Sequence, residues 1–273
     1  MNLSDFDKTQ DQISLAIANF SIRLNCHHPQ LAETLRRRYR DFPPLQNTKF
    51  EAEVHWVGKQ RQNALLDVDP EFRDGILHFS APGYEGFIDE QNGRGELVIS
   101  STQPVEEIDY YLRTVFALLA HAANGVLLHA AGIIRNSRAY LFFGHSGIGK
   151  TTVCRVSQAD HIILNDDLIL LLPLHERWQA YGTPFWNPTQ VQPSAQNAPV
   201  AGLFWLIQAP QVFTRPLGAA PALAALIANV PVIPQDPERS VALLEILAQI
   251  QRSIPISELH FLPNNSFWNV IAP

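Results

Sequence analysis

The apolar positions of the chain change period several times along its length. Leu31, Leu35, Tyr39 and Phe42 recur at three- to four-residue spacing and Pro43–Pro44 follows them. The segment to about residue 48 is therefore expected to be helical and to stop there. Arg36, Arg37, Arg38 and Arg40 occupy its other face, which is either a solvated surface or a platform for an acidic partner or peptide. From Phe50 the period becomes two: Phe50, Ala52, Val54 and Trp56 alternate with Glu51, Glu53 and His55, the pattern of a half-buried strand. Further strands are expected at 76–79, 84–89 and 96–100, with Asn92–Gly93 as a hairpin turn between the last two. The first hundred residues read as a small α+β unit with antiparallel strands.

Pro104 then opens a helix on which Ile108, Leu112, Val115 and Leu119 share a face. After Asn124–Gly125 the texture changes to short apolar strands at 126–128, 132–134 and 139–143. A glycine-rich loop, a helix, and strands near 162–164 and 168–172 follow. An apolar strand at 200–207, helices near 219–229 and 237–251, and a last strand around 259–262 complete the pattern. Alternating strands and helices predict an α/β layer domain. The boundary is expected near residue 103, giving an N-terminal α+β domain at 1–103 and an α/β domain at 104–273.

Composition narrows the class. The chain has 273 residues, 46% apolar and 17% charged, with a net charge of -6. That is a globular profile, and its acidic balance argues against a dedicated nucleic-acid binder. Cys26 and Cys154 are the only cysteines, too few for a disulfide framework or a four-cysteine metal site, and in keeping with a reducing cytosol. The opening MNLSDFDKTQDQ is polar and acidic rather than signal-like, and apolar runs such as 168–172 are short of a membrane span. A cytoplasmic protein with neither nucleic-acid nor membrane partners is expected.

The strongest chemical signal is Gly144-His145-Ser146-Gly147-Ile148-Gly149-Lys150-Thr151, which meets G-x-x-x-x-G-K-[ST] at every fixed position. Tyr140-Leu141-Phe142-Phe143 reads as the strand entering it, and Thr152-Val153-Cys154 as the helix leaving it, the order a phosphate loop requires. Glycines let successive backbone N–H groups turn inward around phosphate oxygens, and the helix adds its positive end. The residues from Gly144 to Thr152 are accordingly expected to contact ATP. Lys150 would reach the β- and γ-phosphates, and the Thr151 hydroxyl would ligate Mg²⁺.

Two further features flank this loop. Ile162-Ile163-Leu164 leads into Asn165-Asp166-Asp167, where one carboxylate can contact Mg²⁺ and the other can serve as base for an acceptor hydroxyl. Upstream, Gly125-Val126-Leu127-Leu128-His129-Ala130-Ala131-Gly132 sets a histidine in an apolar strand. His129 is either a hydrogen-bonded core residue or faces the γ-phosphate side, where it would bind metal or assist proton transfer.

The run "LLHAAGIIRNSRAYLFFGHSGIGKTT" together with "LNDDLILL" resembles the core of the HPr kinase/phosphorylase and ATP-dependent phosphoenolpyruvate carboxykinase group. The resemblance covers roughly 104–273, and chain length favours the HPr kinase side. "YGTPFWNP" and "LHFLPNNSFWNVI" are similar to bacterial HPr-kinase-related proteins. The resemblance implies a P-loop kinase domain in which Gly144, Gly147, Gly149 and Lys150 hold the triphosphate. It also implies Mg²⁺ on Thr151 and Asp167, Asp166 as catalytic base with the two aspartate roles exchangeable, and His129 as the active-site histidine. Two positions depart from the family pattern. Thr152 stands where HPr kinases carry glutamate, and the phosphorolysis signature gives way to Tyr181-Gly182-Thr183-Pro184-Phe185-Trp186, where Gly182–Pro184 is either an acceptor-facing loop or a rigid turn.

The expected activity is an ATP- and Mg²⁺-dependent transfer of phosphate to a hydroxyl, serine foremost, of a peptide, protein or small molecule. A non-catalytic ATP-binding assembly module and a simple ATPase are the alternatives. A homo-oligomer stays open, and the N-terminal unit is the expected source of acceptor specificity or partner docking.

Overall fold

A computed structural model of the chain describes residues 11–61, 68–186, 191–231 and 236–271. Readings of the first ten residues, and of Asn187 and Pro188, lie outside them. Among the described residues the protein is mixed α/β, with two mixed sheets and five α-helices. Its contacts divide it into two compact units, Met1–Leu119 and Ala120–Pro273.

Period-two burial builds the first unit. β1 (Asp11–Ile17) and β2 (Phe20–Cys26) form an antiparallel hairpin in which Ile13, Leu15, Ile17, Ile22 and Leu24 are buried. Helix was expected here. The alternation of Ile13, Leu15 and Ile17 with smaller or polar neighbours selects a strand instead. Among the described residues of this segment α1 (Pro29–Tyr39) alone is helical, capped by His28 and burying Leu31, Leu35 and Tyr39. β3 (Thr48–Arg61), β4 (Asp69–Arg73), β5 (Ile76–Ala81), β6 (Tyr84–Asp89) and β7 (Arg94–Ser101) complete a sheet of order β1-β2-β3-β7-β6-β5-β4. β4 has Phe72 as its one large apolar side chain and gave no alternation to read.

The expectation of purely antiparallel strands fails at two pairs. β2–β3 and β3–β7 run parallel: α1 crosses between β2 and β3 and returns the chain in the same direction, and β4, β5 and β6 intervene between β3 and β7. The Asn92–Gly93 hairpin is present, with β6 and β7 antiparallel and Gly93 at φ 65°.

α2 (Pro104–Ala122) buries Ile108, Leu112, Val115 and Leu119. Tyr111 donates its hydroxyl to Phe87 O at 2.9 Å. Arg38 Nε donates to Asp109 Oδ2 at 3.0 Å, and Tyr39 donates to Asp109 Oδ1 at 2.7 Å. Through Leu119 this helix belongs to the first unit, and the division between the units falls within its last turn. The arginine face is also largely committed: Arg36 pairs with Asp11 at 2.7 Å, Arg38 with Asp109, and Arg40 with Asp41 at 3.5 Å.

The second unit is organised by two long strands. β8 (Val126–Arg135) is continuous where two short strands were expected. β9 (Arg138–Phe143) pairs with its distal half, and α3 (Lys150–Ser157) follows the glycine-rich loop. β10 (Ile162–Asn165) and β11 (Leu168–Leu174) lie in succession along the other edge of β8, and β12 (Arg177–Tyr181) leads to β13 (Asn197–Gln208). β8, β11, β12, β13 and β9 close a ring of hydrogen-bonded strands. β14 (Phe213–Pro216), α4 (Ala219–Ile227), α5 (Pro237–Ser253) and β15 (Ile256–Phe261) follow, and β15 joins β13 in parallel. The parallel pairs of this unit are β9–β13 and β13–β15. β12 and β14 were not foreseen.

Alternation along β8 and β9 sorts side chains between two cores. Leu128, Ala130, Leu141 and Phe143 join the cluster that takes in α4 and α5. Ala131, Ile133, Tyr140 and Phe142 join the one that takes in Val153 and Cys154 of α3. Odd positions of β8 thus face α3, and His129 is one of them.

Candidate functional site

The glycine-rich loop links β9 to α3. Gly144, Gly147 and Gly149 all lie in the left-handed region, at φ 146°, 79° and 122°, so the backbone doubles back where L side chains are strained. Gly149 has a second constraint: a Cβ there would approach Phe261 Cζ to 2.7 Å. The loop is braced from within and without. Ile148 N donates to His145 O at 3.3 Å, and Gln208 Nε2 donates to Ile148 O at 3.1 Å. The Ile148 side chain is buried in the α3 core. Gln208 lies 60 residues along the chain from the loop it braces, and no local pattern signals it.

Lys150, the first residue of α3, is 7% exposed and donates its ammonium to Gly144 O at 3.0 Å and His145 O at 3.4 Å. Burial lowers its pKa, while Asp167 and Asp166 draw it back up. The lysine thus clasps the mouth of the loop with its charge balanced by two carboxylates.

Those carboxylates sit at a kink. β10 and β11 both run antiparallel to β8, with the register irregular between Ile163 and Asn165. The irregularity lies immediately ahead of the two aspartates, where strand bulges commonly stand beside functional sites. Asn165 fixes the kink. Its side-chain oxygen accepts from Asp167 N at 2.6 Å and Leu168 N at 3.0 Å, and its amide donates to Thr183 O at 2.8 Å and Phe185 O at 3.1 Å. The sequence reading passed over Asn165 as a neighbour of the aspartates; its role depends on Thr183 and Phe185, which only the fold brings near.

The same bracket settles the geometry of the 182–184 loop. It is buried, and Gly182 is required because a Cβ would collide with Ser194 O and come within 2.8 Å of Leu164 O. Its burial is that of a rigid turn, and the carbonyls of Thr183 and Phe185 accept from Asn165 behind the aspartates.

His129, Ser146, Gly147, Gly149, Lys150, Thr151, Thr152, Asp166 and Asp167 line one cavity of about 320 Å³. Gly144, His145 and Ile148 belong to the loop without lining it. Leu168 is the register partner of His129, which brings the histidine beside the kink. His129 Nε2 and Asp167 Oδ1 are 2.8 Å apart, both side chains about one-third exposed. Asp166 is 2% exposed, and neither of its carboxylate oxygens has an aligned hydrogen-bond partner. Burial raises its pKa; the adjacent Thr151 hydroxyl opposes that, and Asp167 reinforces it. The cavity therefore joins a glycine turn, a buried cation, an unsatisfied buried carboxylate and a histidine–aspartate pair.

No family model and no curated protein sequence matches the chain. Among solved structures it is similar to the Hpr(Ser) kinase/phosphatase from Coxiella burnetii, at 11% identity and a TM-score of 0.29, covering 50% of this chain and 84% of that one. This is a distant structural relation over half of the chain, and the functional reading rests on the cavity. No helix among the described residues is long and apolar enough to cross a membrane.

Proposed function

We propose that the protein is an ATP- and Mg²⁺-dependent phosphotransferase whose acceptor is a hydroxyl of a peptide, protein or small molecule. The observation that carries this reading is the convergence of the left-handed glycine loop, Lys150, Asp166, Asp167 and His129 on one cavity. The residues fit a metal–nucleotide pair. A buried carboxylate in which neither oxygen has an aligned donor, with the Thr151 hydroxyl beside it, suits a cation, and open space stands where a Cβ of Gly147 would lie, leaving the backbone open to phosphate.

Lys150 and the loop amides would hold the β- and γ-phosphates. Thr151 and one aspartate would hold Mg²⁺, which supplies charge neutralisation at the transferring group when bound. The sequence reading assigned the base to Asp166 and the metal contact to Asp167. The geometry favours the exchange. Asp166 is the buried, unsatisfied carboxylate beside Thr151, suited to a cation. Asp167 is more exposed and touches His129, suited to take the acceptor proton while His129 orients it. Positioning and charge stabilisation would supply most of the acceleration.

Incubation of γ-labelled ATP and Mg²⁺ with peptide, protein and small-molecule hydroxyl acceptors tests the reading, with released phosphate scored alongside. Asp167→Asn should abolish transfer while retaining ATP affinity, and Lys150→Ala should lose both. Wild-type transfer rates in Asp167→Asn would overturn the base assignment. Calorimetric failure to bind ATP with Mg²⁺ would overturn the whole proposal, and phosphate release with every acceptor unlabelled would reduce it to an ATPase.

A further inference from the structure

The solvent-side face of the first unit's sheet carries a cluster that the nucleotide chemistry does not use. Glu53 and His55 are alternate residues of β3, on the face opposite buried Ala52 and Val54. His27 follows the last residue of β2, and its backbone N–H donates to Val54 O at 3.1 Å, which holds it beside them. One ligand atom from each of His27, Glu53 and His55 lies within 4.8 Å of the others.

The cluster is ordered by its neighbours. Asn25 Nδ2 donates to Glu53 Oε1 at 2.8 Å, and Glu53 Oε2 faces His27 Nε2 at 2.7 Å. One carboxylate oxygen is thereby anchored and the other is presented to the histidines, the arrangement of a supporting hydrogen bond behind a metal ligand. The imidazoles stack with centroids 4.3 Å apart and planes 10° from parallel. Among the described residues, no hydrogen bond engages a ring nitrogen of His55. Glu96, the register partner of Glu53 on β7, adds negative charge on the same face.

We propose that His27, Glu53 and His55 form a site for a borderline divalent transition ion, Zn²⁺ foremost, that ties the exit of β2 to β3. Two imidazoles and one carboxylate are a Zn²⁺ donor set, whereas Mg²⁺ and Ca²⁺ take oxygen ligands. Bonds of about 2.0–2.1 Å at tetrahedral angles set ligand atoms roughly 3.3 Å apart. His27 Nε2 and Glu53 Oε2 are 2.7 Å apart and every ligand atom lies within 4.8 Å of the others, so side-chain adjustment reaches that spacing. Exposure of the Glu53 side chain, at 40%, gives the ion an entry path and leaves a fourth position to water. This inference is independent of the nucleotide reading, since both sites stand on different residues of different units.

Calorimetric titration of the full chain, stripped with chelator and kept free of Mg²⁺, with ZnCl₂ tests it. One saturable equivalent is expected that Asp166→Asn leaves intact and that excess Mg²⁺ does not displace. Loss of a supporting partner costs roughly 10–100-fold in metal affinity, so His55→Ala and Glu53→Gln should each exceed that. Circular dichroism of both variants should match wild type, because the residues leave the buried face untouched. Co²⁺ should give an intense visible band characteristic of tetrahedral coordination in wild type and lose it in His55→Ala. Absence of saturable Zn²⁺, unchanged affinity in His55→Ala, or abolition of all binding by Asp166→Asn would each overturn the site and leave a hydrogen-bonded polar cluster.

Discussion

Replacing Asp166 with asparagine separates what the cavity costs in stability from what it does. The carboxylate is 2% exposed, neither oxygen has an aligned donor, and the Thr151 hydroxyl beside it offsets its burial only in part. A buried polar group left without a partner costs about 1–3 kcal/mol, and charge increases that. The amide keeps the shape and stays unsatisfied but removes the charge, so ligand-free Asp166→Asn should gain about 1–2 kcal/mol. For a unit of this size that is a rise of roughly 2–8 °C in its thermal transition. Burial holds the folded pKa of Asp166 above the ordinary carboxylate range, so the folded state grips the proton more tightly than the unfolded chain does. The destabilisation is therefore fully present above the folded pKa and vanishes below the unfolded one, about 4. Scanning calorimetry in chelator at a series of pH values should show the variant ahead at neutral pH and the gap closing on acidification. Adding Mg²⁺ and ATP should reverse the order by stabilising wild type alone. A variant less stable than wild type at neutral pH, or a gap independent of pH, would refute the reasoning.

Three further substitutions probe the supports. Gly149→Ala places a Cβ 2.7 Å from Phe261 Cζ at φ 122°, and should destabilise the second unit by about 2–3 kcal/mol and weaken ATP binding, both readable by calorimetry. Asn165→Ala strips acceptors from the Asp167 and Leu168 amides. A loss of about 2–4 kcal/mol in denaturant titration is expected, with transfer falling more than ATP affinity; unchanged stability would contradict the bracket role. Arg38→Ala leaves Asp109, 4% exposed, with Tyr39 as its remaining donor among the contacts described above, and should cost the first unit about 3–5 kcal/mol in urea unfolding. A loss within about 0.5 kcal/mol would mark the ion pair as a surface contact.

The parts legible in the chain were those whose physics is local. The phosphate-loop motif occupies eight consecutive residues, and its glycines take the left-handed angles that such a turn demands. A period-two run marked β3, a continuous apolar run marked β9, and helical spacing marked α2. The same logic would have found β1 from Ile13, Leu15 and Ile17, had the downstream helical spacing not been extended over it. β4 and β12, short strands that meet a two-residue turn at Asp74–Gly75 and at His175–Glu176, are held by their pairing neighbours more than by pattern.

By itself the sequence determined that a glycine turn, a lysine and two adjacent carboxylates would be held at fixed spacings, because backbone stereochemistry and covalent distance act within a few residues. It could not decide that His129 meets Asp167, that Asp166 is the sealed carboxylate, or that His27 stands over Glu53 and His55. Those depend on strand register, which is set by which faces bury their apolar side chains together across the whole unit. Only the tertiary structure makes that choice, since each pairing is worth having only once all the others are in place.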